Sequence, residues 1–309
     1  MAGDRTTGPY EPRRKFVIMP ELPEVETIVR QLNQKVARRK ILDAWTDWPK
    51  MLKTHSLDKF KREIKGRKIL RARRRAKYII MELSGGKTLI IHQKISGHLL
   101  YGKWKVENKK PVAITEGPIK SDPQNRFIRF ILYLDNGWML GLSDLRRFGK
   151  ALLVDTDKVN GITEIKKLGP EPLAPSFKLQ DFKKLLAKKR GVIKKVLMDQ
   201  FVISGIGNIY SDEILWYTGI HPLKRVEKLN DKELAAIYKY IRFVLKKAVG
   251  ALGDSEQDYR TLEGKKGGYQ NKKKAYQLTG EKCQKRDGGI IKRLVVNGRS
   301  AHFCPVHQK

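Results

Sequence analysis

Met19-Pro20-Glu21-Leu22-Pro23-Glu24-Val25-Glu26 is the stretch on which the reading of this chain turns. Two readings fit it. As backbone it starts a helix: Pro23 suits a first helical position, and Glu24 and Glu26 favour the positive end of the helix dipole. Val25, Ile28, Val29 and Leu32 then recur with helical spacing. As chemistry, a Met-Pro start that loses its Met leaves proline as a free secondary amine. Free α-amines have a pKa of roughly 7.7–8.0, against roughly 10.4 for a lysine side chain, so near neutrality they are far more often unprotonated. Condensed with a sugar aldehyde, a secondary amine gives a cationic iminium, the covalent logic of a Schiff-base lyase. Glu21 then sits beside the amine as a proton carrier.

Composition narrows the partners. The chain has 309 residues, 40% of them hydrophobic, enough for two domains with real cores. Lysine and arginine number 66 against 32 acidic residues, a net charge of +34 that points to a polyanion, nucleic acid first. Ribosomal proteins are equally basic, so charge alone does not indicate catalysis. No apolar run reaches the roughly 18 residues of a membrane helix, and Phe16-Val17-Ile18 is too short for a signal peptide. Two cysteines exclude a disulfide framework and favour a reducing cytoplasm.

Working outward from the octet, residues 1–18 read as a disordered leader and a helix runs from Pro20 to about Lys35. Short β-type runs follow at 69–70, 78–83, 88–92, 127–134 and 139–142, punctuated by Gly85-Gly86 and Asn136-Gly137. One helix followed by several strands suggests a sandwich or open barrel over 19–165. Three prolines in 169–175 place an interdomain hinge at 166–178. Helical patterns occupy 179–188, 192–197, 209–217 and 231–249 of a second domain, 179–274, and the glycine- and lysine-rich stretch 253–270 reads as a mobile loop. A compact tail, 275–309, carries both cysteines and the hairpin signal Asn297-Gly298.

Four further motifs bear on chemistry. Cys283-Gln284-Lys285-Arg286 and, seventeen residues on, Cys304-Pro305-Val306-His307 have the spacing of a four-ligand zinc site. Arg286 fills one ligand position and cannot coordinate, leaving Cys283, Cys304 and His307, with Asp287 one residue out of register. Three ligands of four favour a finger that stands without metal, packed on Leu278, Ile290, Leu294, Val296 and Phe303. Gly205-Ile206-Gly207-Asn208 opens a helix after a tight turn, so that helix-terminal N–H groups and Asn208 are placed to hold a phosphate; a plain glycine-rich helix start reads equally well. Arg146-Arg147-Phe148 combines cations with an aromatic wedge suited to the gap left by a flipped base, or is an ordinary solvated loop. Arg73-Arg74-Arg75-Ala76-Lys77-Tyr78 reads as a solvated edge leading into a buried strand.

Together these stretches resemble the formamidopyrimidine-DNA glycosylase family of bacterial base-excision enzymes, from Met19 to Lys309. The family's Pro-Glu-Leu-Pro-Glu-Val-Glu matches Pro20 to Glu26, where endonuclease VIII types usually have Gly at Leu22. Its Arg-Arg-Ala-Lys-Tyr matches Arg74 to Tyr78, and its Leu-Gly-Pro-Glu-Pro-Leu matches Leu168 to Leu173. Its Gly-x-Gly-Asn-Ile-Tyr matches Gly205 to Tyr210, and its finger arginine matches Arg299. The resemblance implies an α+β protein of two domains: an N-terminal β-sandwich with flanking helices, and a helix–two-turns–helix domain with a zinc-finger-like hairpin. It implies a monomer acting on double-stranded damaged DNA in the bacterial cytoplasm, at the nucleoid.

The implied chemistry is attack by the Pro20 amine on C1′ of an oxidised purine nucleotide, with Glu21 protonating the opening sugar, followed by β- and δ-elimination. The resemblance gives Lys77, Asn208 and Arg299 to phosphates and Ile95, Arg146 and Phe148 to the void left by the flipped base. It gives Glu24 to site positioning, Glu171 to the amine or sugar, and Lys194 to the DNA-binding set. Four departures stand out. Ile95 lies in His92-Gln93-Lys94-Ile95-Ser96-Gly97, where the family more often has Leu-Gly-Met after the histidine. Leu145 replaces a proline, the finger lacks a cysteine, and a leader precedes Pro20. Joined to Met19, the proline nitrogen is an amide and loses its lone pair to resonance. The alternatives are an endonuclease VIII-like enzyme for oxidised pyrimidines, and a non-catalytic damaged-DNA-binding protein that keeps its leader.

Overall fold

A computed structural model describes residues 19–309; the leader expected at 1–18 lies outside the described residues. The first helix, Leu22–Lys35, is followed by β1 (Ile41–Thr46) and the short helix Leu57–Ile64, which Ser56 caps by accepting the Lys59 N–H. Then come β2 (Ile69–Arg75), β3 (Tyr78–Leu83), β4 (Lys87–His92) and β5 (Gly97–Gly102). The small hairpin of β6 (Trp104–Glu107) and β7 (Lys110–Ala113) precedes β8 (Ile128–Leu134), β9 (Met139–Asp144) and β10 (Lys150–Asp155). Two four-stranded antiparallel sheets result, in the orders β1-β8-β9-β5 and β10-β4-β3-β2. Their inner faces, with Phe130, Leu132, Ile79, Met81, Leu89 and Ile91, close a core beneath the first helix.

The arginine run is part of β2 itself rather than an approach to the next strand. Arg71 and Arg73 point to solvent and share Glu82 on β3, while Ala72 turns inward. Charged residues on an edge strand keep it from pairing with other chains. At the end of β2, Ala76 adopts φ +51°, and this turn delivers Lys77 into the interior, 4% exposed.

The second domain packs helices Leu179–Ala187, Ile193–Met198, Asn208–Thr218 and Asp231–Gly250 around Phe182, Ile203, Tyr210, Ile214, Ile241 and Val244. Asn230 and Glu233 form a capping box at the start of the long helix, and Gly219, at φ +72°, ends the helix before it. The tail forms a hairpin of β11 (Lys292–Val296) and β12 (Arg299–Phe303), turned by Asn297-Gly298 at φ +49° and +73°. Val296 and Phe303 are buried as expected, but Ile290 is 51% exposed; Ile291 takes its place inside.

The domains interlock. Leu22 of the first helix packs into the helical core, whereas Val25, Ile28 and Leu32 of the same helix pack into the sandwich. In return Tyr259 and Leu262, from the far side of the hinge, enter the sandwich core. The stretch 253–270 is therefore not an open mobile loop. Arg260 forms an ion pair with Asp122, the Leu262 N–H donates to Gln31 Oε1 at 2.8 Å, and Tyr101 N–H donates to the Leu262 carbonyl at 2.7 Å. The glycine-rich composition hid the two apolar anchors that hold this segment down.

Candidate active site and finger

Glu21 stands where the two domains meet. Its backbone N–H donates to Glu24 Oε2 at 2.8 Å as the first helix begins. Its carboxylate crosses to the turn before helix Asn208–Thr218 and accepts the N–H groups of Gly207 at 2.7 Å and Ile209 at 3.0 Å, with Tyr210 at 3.5 Å. Amides at a helix N-terminus lack intrahelical acceptors and attract an anion. One of the two sequence readings gave them to a phosphate; in the structure their anion is Glu21. Gly207 makes this approach feasible, because a Cβ there would lie 2.5 Å from the Glu21 carboxyl carbon and 2.7 Å from Lys77 Nζ.

Glu21 and Lys77 are both buried, and each modifies the other. Burial pushes the Glu21 carboxyl up, while Lys77 and the helix amides draw it back. Burial pushes the Lys77 ammonium down, opposed by Glu21 and Glu24. Behind them Glu24 accepts the Tyr210 hydroxyl at 2.5 Å and the Asp254 N–H at 2.8 Å. Burial, followed by the charge on Glu21, pushes the Glu24 carboxyl up to about 7. A carboxyl raised this far is protonated near neutrality for much of the time and can trade a proton with its neighbours.

In front of Glu21 lies a cavity of about 180 Å³ lined by Met19, Lys77, Ile95, Asn208 and Arg299, with Met198 and Gln200. Five of the residues singled out from sequence thus come together: Glu21, Lys77, Ile95, Asn208 and Arg299. Among the described residues Asn208 Oδ1 is buried there without a hydrogen-bond partner, and an unpaired buried acceptor is costly unless a ligand satisfies it. Arg299 reaches the cavity because the tight Asn297-Gly298 turn ends next to it. Pro20 is buried beside this cavity, in a crevice shared with Glu24, Asp254 and Tyr259, and Met19 borders both spaces.

Arg146 and Phe148 are exposed, Phe148 by 53%, on the turn between β9 and β10. Asp144 fastens this turn to the one carrying Ile95: it accepts Ser96 Oγ at 2.5 Å and the Gly149 N–H at 2.7 Å, and Ser96 Oγ accepts the Arg146 N–H at 2.9 Å. The three void-filling candidates are therefore braced as a unit.

Two candidates are placed elsewhere. Glu171 does not line the cavity. It accepts the Ala76 N–H at 2.5 Å and pairs with Arg74 at 2.6 Å and Arg75 at 3.2 Å, fastening the hinge to the turn that carries Lys77. Lys194 is fully buried, ion-paired with Asp212 and within 3.2 Å of Ser211 Oγ, so it cannot touch DNA. Asp212 also accepts the His302 N–H and faces His302 Nδ1, both at 2.9 Å, which couples helix Asn208–Thr218 to the finger. The sequence reading missed Gln200, whose side chain accepts the Gly205 N–H at 2.8 Å and donates to the Ile206 carbonyl at 2.6 Å. A lone glutamine before a glycine turn carries no signal of that bracing.

In the finger, Asp287 takes the fourth position, correcting the reading that left it to Arg286. Cys283, Asp287, Cys304 and His307 each offer one ligand atom, all within 4.8 Å of one another. Arg286 adopts φ +56°, and the left-handed residue turns the chain so that the next side chain faces the cysteines. Cys283 Sγ lies 3.6 Å from His307 Nδ1 and Cys304 Sγ lies 3.5 Å from Asp287 Oδ2. Bonds of about 2.0–2.3 Å around a tetrahedral ion require ligand separations of about 3.3–3.8 Å. These two pairs meet that, while His307 Nδ1 and Asp287 Oδ2, 2.7 Å apart, would have to separate slightly to share an ion. His307 Nε2 donates to the Trp216 carbonyl at 3.1 Å, which leaves the Nδ1 lone pair for the ion. This cluster could hold a metal.

Comparison with known proteins agrees with this architecture. Residues 19–151 match the family profile of the formamidopyrimidine-DNA glycosylase N-terminal domain, and residues 168–259 that of the formamidopyrimidine-DNA glycosylase H2TH (helix–two-turns–helix) domain. A formamidopyrimidine-DNA glycosylase of Herpetosiphon aurantiacus is 40% identical over 291 residues, covering 94% of this chain and all (100%) of that one. The chain belongs to the formamidopyrimidine-DNA glycosylase family. A second family member, from Chloroflexus aurantiacus, is 39% identical over 94% of this chain and 98% of its own. The Lactococcus lactis glycosylase of the family, solved with abasic-site DNA, superposes with a TM-score of 0.81 at 32% identity, over 94% of this chain and 99% of that one. MutM in complex with DNA containing carbocyclic 8-oxo-G gives 0.80 at 32% identity, over 94% and 100%. The sandwich, the H2TH domain and the finger hairpin are thus the family's fold, as the resemblance implied.

Proposed function

We infer that this chain is a DNA-formamidopyrimidine glycosylase and AP lyase, which excises oxidised purines such as 8-oxoguanine and formamidopyrimidine from duplex DNA. The observation that carries this reading is the buried Glu21 carboxylate beside Pro20, held by helix amides and facing Lys77 in one cavity. The nucleophile is the Pro20 amine, set free by removal of Met19. It attacks C1′ of the extruded nucleotide as Glu21 protonates the ring oxygen, and the base leaves. The resulting iminium acidifies the adjacent C–H, so that β- and then δ-elimination cut the strand on both sides of the sugar. Lys77, Asn208 and Arg299 hold the flanking phosphates, and Ile95, Arg146 and Phe148 fill the vacated stack.

Duplexes bearing 8-oxoguanine or thymine glycol test the substrate class. The chain beginning at Pro20 is expected to nick the first much faster; the reverse order would make it an endonuclease VIII-like enzyme. Binding of both without nicking by any processed form would make it a damage-binding protein.

We further propose zinc as the metal of the Cys283, Asp287, Cys304 and His307 set, in a structural role that fixes the hairpin carrying Arg299. One zinc per chain is expected by elemental analysis. Asp287→Ala should lower zinc affinity by more than the roughly 10–100-fold that loss of a group merely supporting a ligand costs, while Arg286→Ala leaves it unchanged. Protein purified without chelator that holds no zinc would overturn this assignment.

A further inference from the structure

The turn from His92 to Gly97 carries a residue that the proposed chemistry does not use. Lys94 occupies a left-handed conformation, φ +55°, which L side chains adopt only at a cost in strain. Glycine would take that conformation freely. A lysine has been placed there nonetheless.

Its surroundings are electropositive. Lys94 lines a second cavity, about 400 Å³, with Lys77, His92 and Lys167, and this cavity shares Met19, Lys77 and Gln200 with the one in front of Glu21. Burial, followed by Lys150, pushes the Lys94 ammonium down; the carboxylate that opposes this, Glu164, is already ion-paired with Lys150. Among the described residues no carboxylate forms a salt bridge with Lys94. The backbone N–H of Lys94 donates to His92 Nδ1 at 3.0 Å, so the ring's own proton sits on Nε2. Burial and the charges of Lys94, Lys150 and Lys77 keep that ring neutral, as an N–H donor. Three ammonium groups and an imidazole donor around one open cavity, with a single committed carboxylate, form an anion site.

We propose that Lys94 binds a backbone phosphate of the lesion-bearing strand, as a contact additional to Lys77, Asn208 and Arg299. The anion that must lie beside this cavity when a nucleotide enters the neighbouring one is the phosphodiester that tethers it. An ammonium one residue from Ile95 and two from Ser96, which braces the Arg146 turn, fixes the wedge and the strand in one register. The contact carries no sequence information, so it should strengthen binding to any duplex that can be opened at a lesion. This inference rests on the DNA glycosylase reading above.

The test is the salt dependence of binding to a duplex with a stable abasic-site analogue, measured for the chain beginning at Pro20 and for Lys94→Gly and Lys94→Arg. Glycine relieves the left-handed strain, so the Lys94→Gly chain folds at least as well as the parent. Each phosphate contact contributes about −0.9 to the slope of log K against log salt. Lys94→Gly should reduce the slope by about 1 and weaken binding several-fold near 0.1 M salt, and Lys94→Arg should restore both. An unchanged slope and affinity in Lys94→Gly would overturn the proposal. Failure of the parent chain to bind the duplex at all would instead overturn the glycosylase reading.

Discussion

Borohydride added to the chain that begins at Pro20, mixed with abasic-site DNA, should trap a covalent protein–DNA adduct; the chain with Met19 still attached should give none. The contrast is all or none because it is electronic. In the attached form the proline nitrogen belongs to a peptide bond, planar and without a free lone pair, and no iminium can form for borohydride to reduce. Steric access points the same way, since Met19 borders both the cavity before Glu21 and the crevice that holds Pro20. The attached chain keeps Lys77, Asn208 and Arg299, so it should still bind the duplex in a gel shift. An adduct formed by the full 309-residue chain would remove Pro20 from its role. Attention would then fall on Lys77, an amine in the same cavity whose pKa burial has lowered.

Glu21→Gln should lower the single-turnover rate of 8-oxoguanine release by about 10²–10⁴-fold, the usual range for loss of a positioned proton donor. Burial keeps this carboxyl more easily protonated than a surface one, and Lys77 beside it provides charge to balance the departing proton. Glutamine has nearly the same shape and no proton to give. It also offers an NH2 group where the carboxylate met the amides of Gly207 and Ile209, at 2.7 and 3.0 Å, so donor would face donor. A further loss of stability of about 1–3 kcal/mol, read from urea unfolding, follows from leaving such groups unsatisfied. A variant that loses stability but keeps its excision rate within a few-fold would make Glu21 a helix anchor only.

Much of this was legible in the sequence, and the parts that were not share a cause. The first helix, the central strands and the four helices of the second domain announced themselves through periodicity and turn residues. Strands β1, β5 and β10 and the helix Leu57–Ile64 did not. The strand patterns are broken: β5 carries His98 and a glycine at each end, β1 is interrupted by Asp43, and β10 is bounded by Lys150 and Asp155. At the site, Glu21, Lys77, Asn208 and Arg299 were found because whole motifs carried them. What those motifs could not express was which groups satisfy one another. The helix amides looked free for a phosphate until Glu21 was seen to occupy them. The resemblance gave Lys194 to the DNA-binding set, and only the structure shows it buried beside Asp212. Asp287 looked out of register because spacing counts residues, whereas the left-handed turn at Arg286 decides which side chain faces the cysteines.

The exchange of apolar side chains between the domains changes what the proline-rich segment around Gly169 can be. Its composition is that of a linker, a tether between bodies free to reorient. But the helical half needs Leu22 from the start of the chain, and the sandwich needs Tyr259 and Leu262 from near its end. Gly169 is itself pressed against the 200–204 segment so closely that a Cβ would lie 2.5 Å from the Val202 carbonyl oxygen. Cutting the chain there would leave neither piece with a complete interior. The molecule is one folding unit with two lobes, and the cavity before Glu21 lies within a single body rather than in a gap between two.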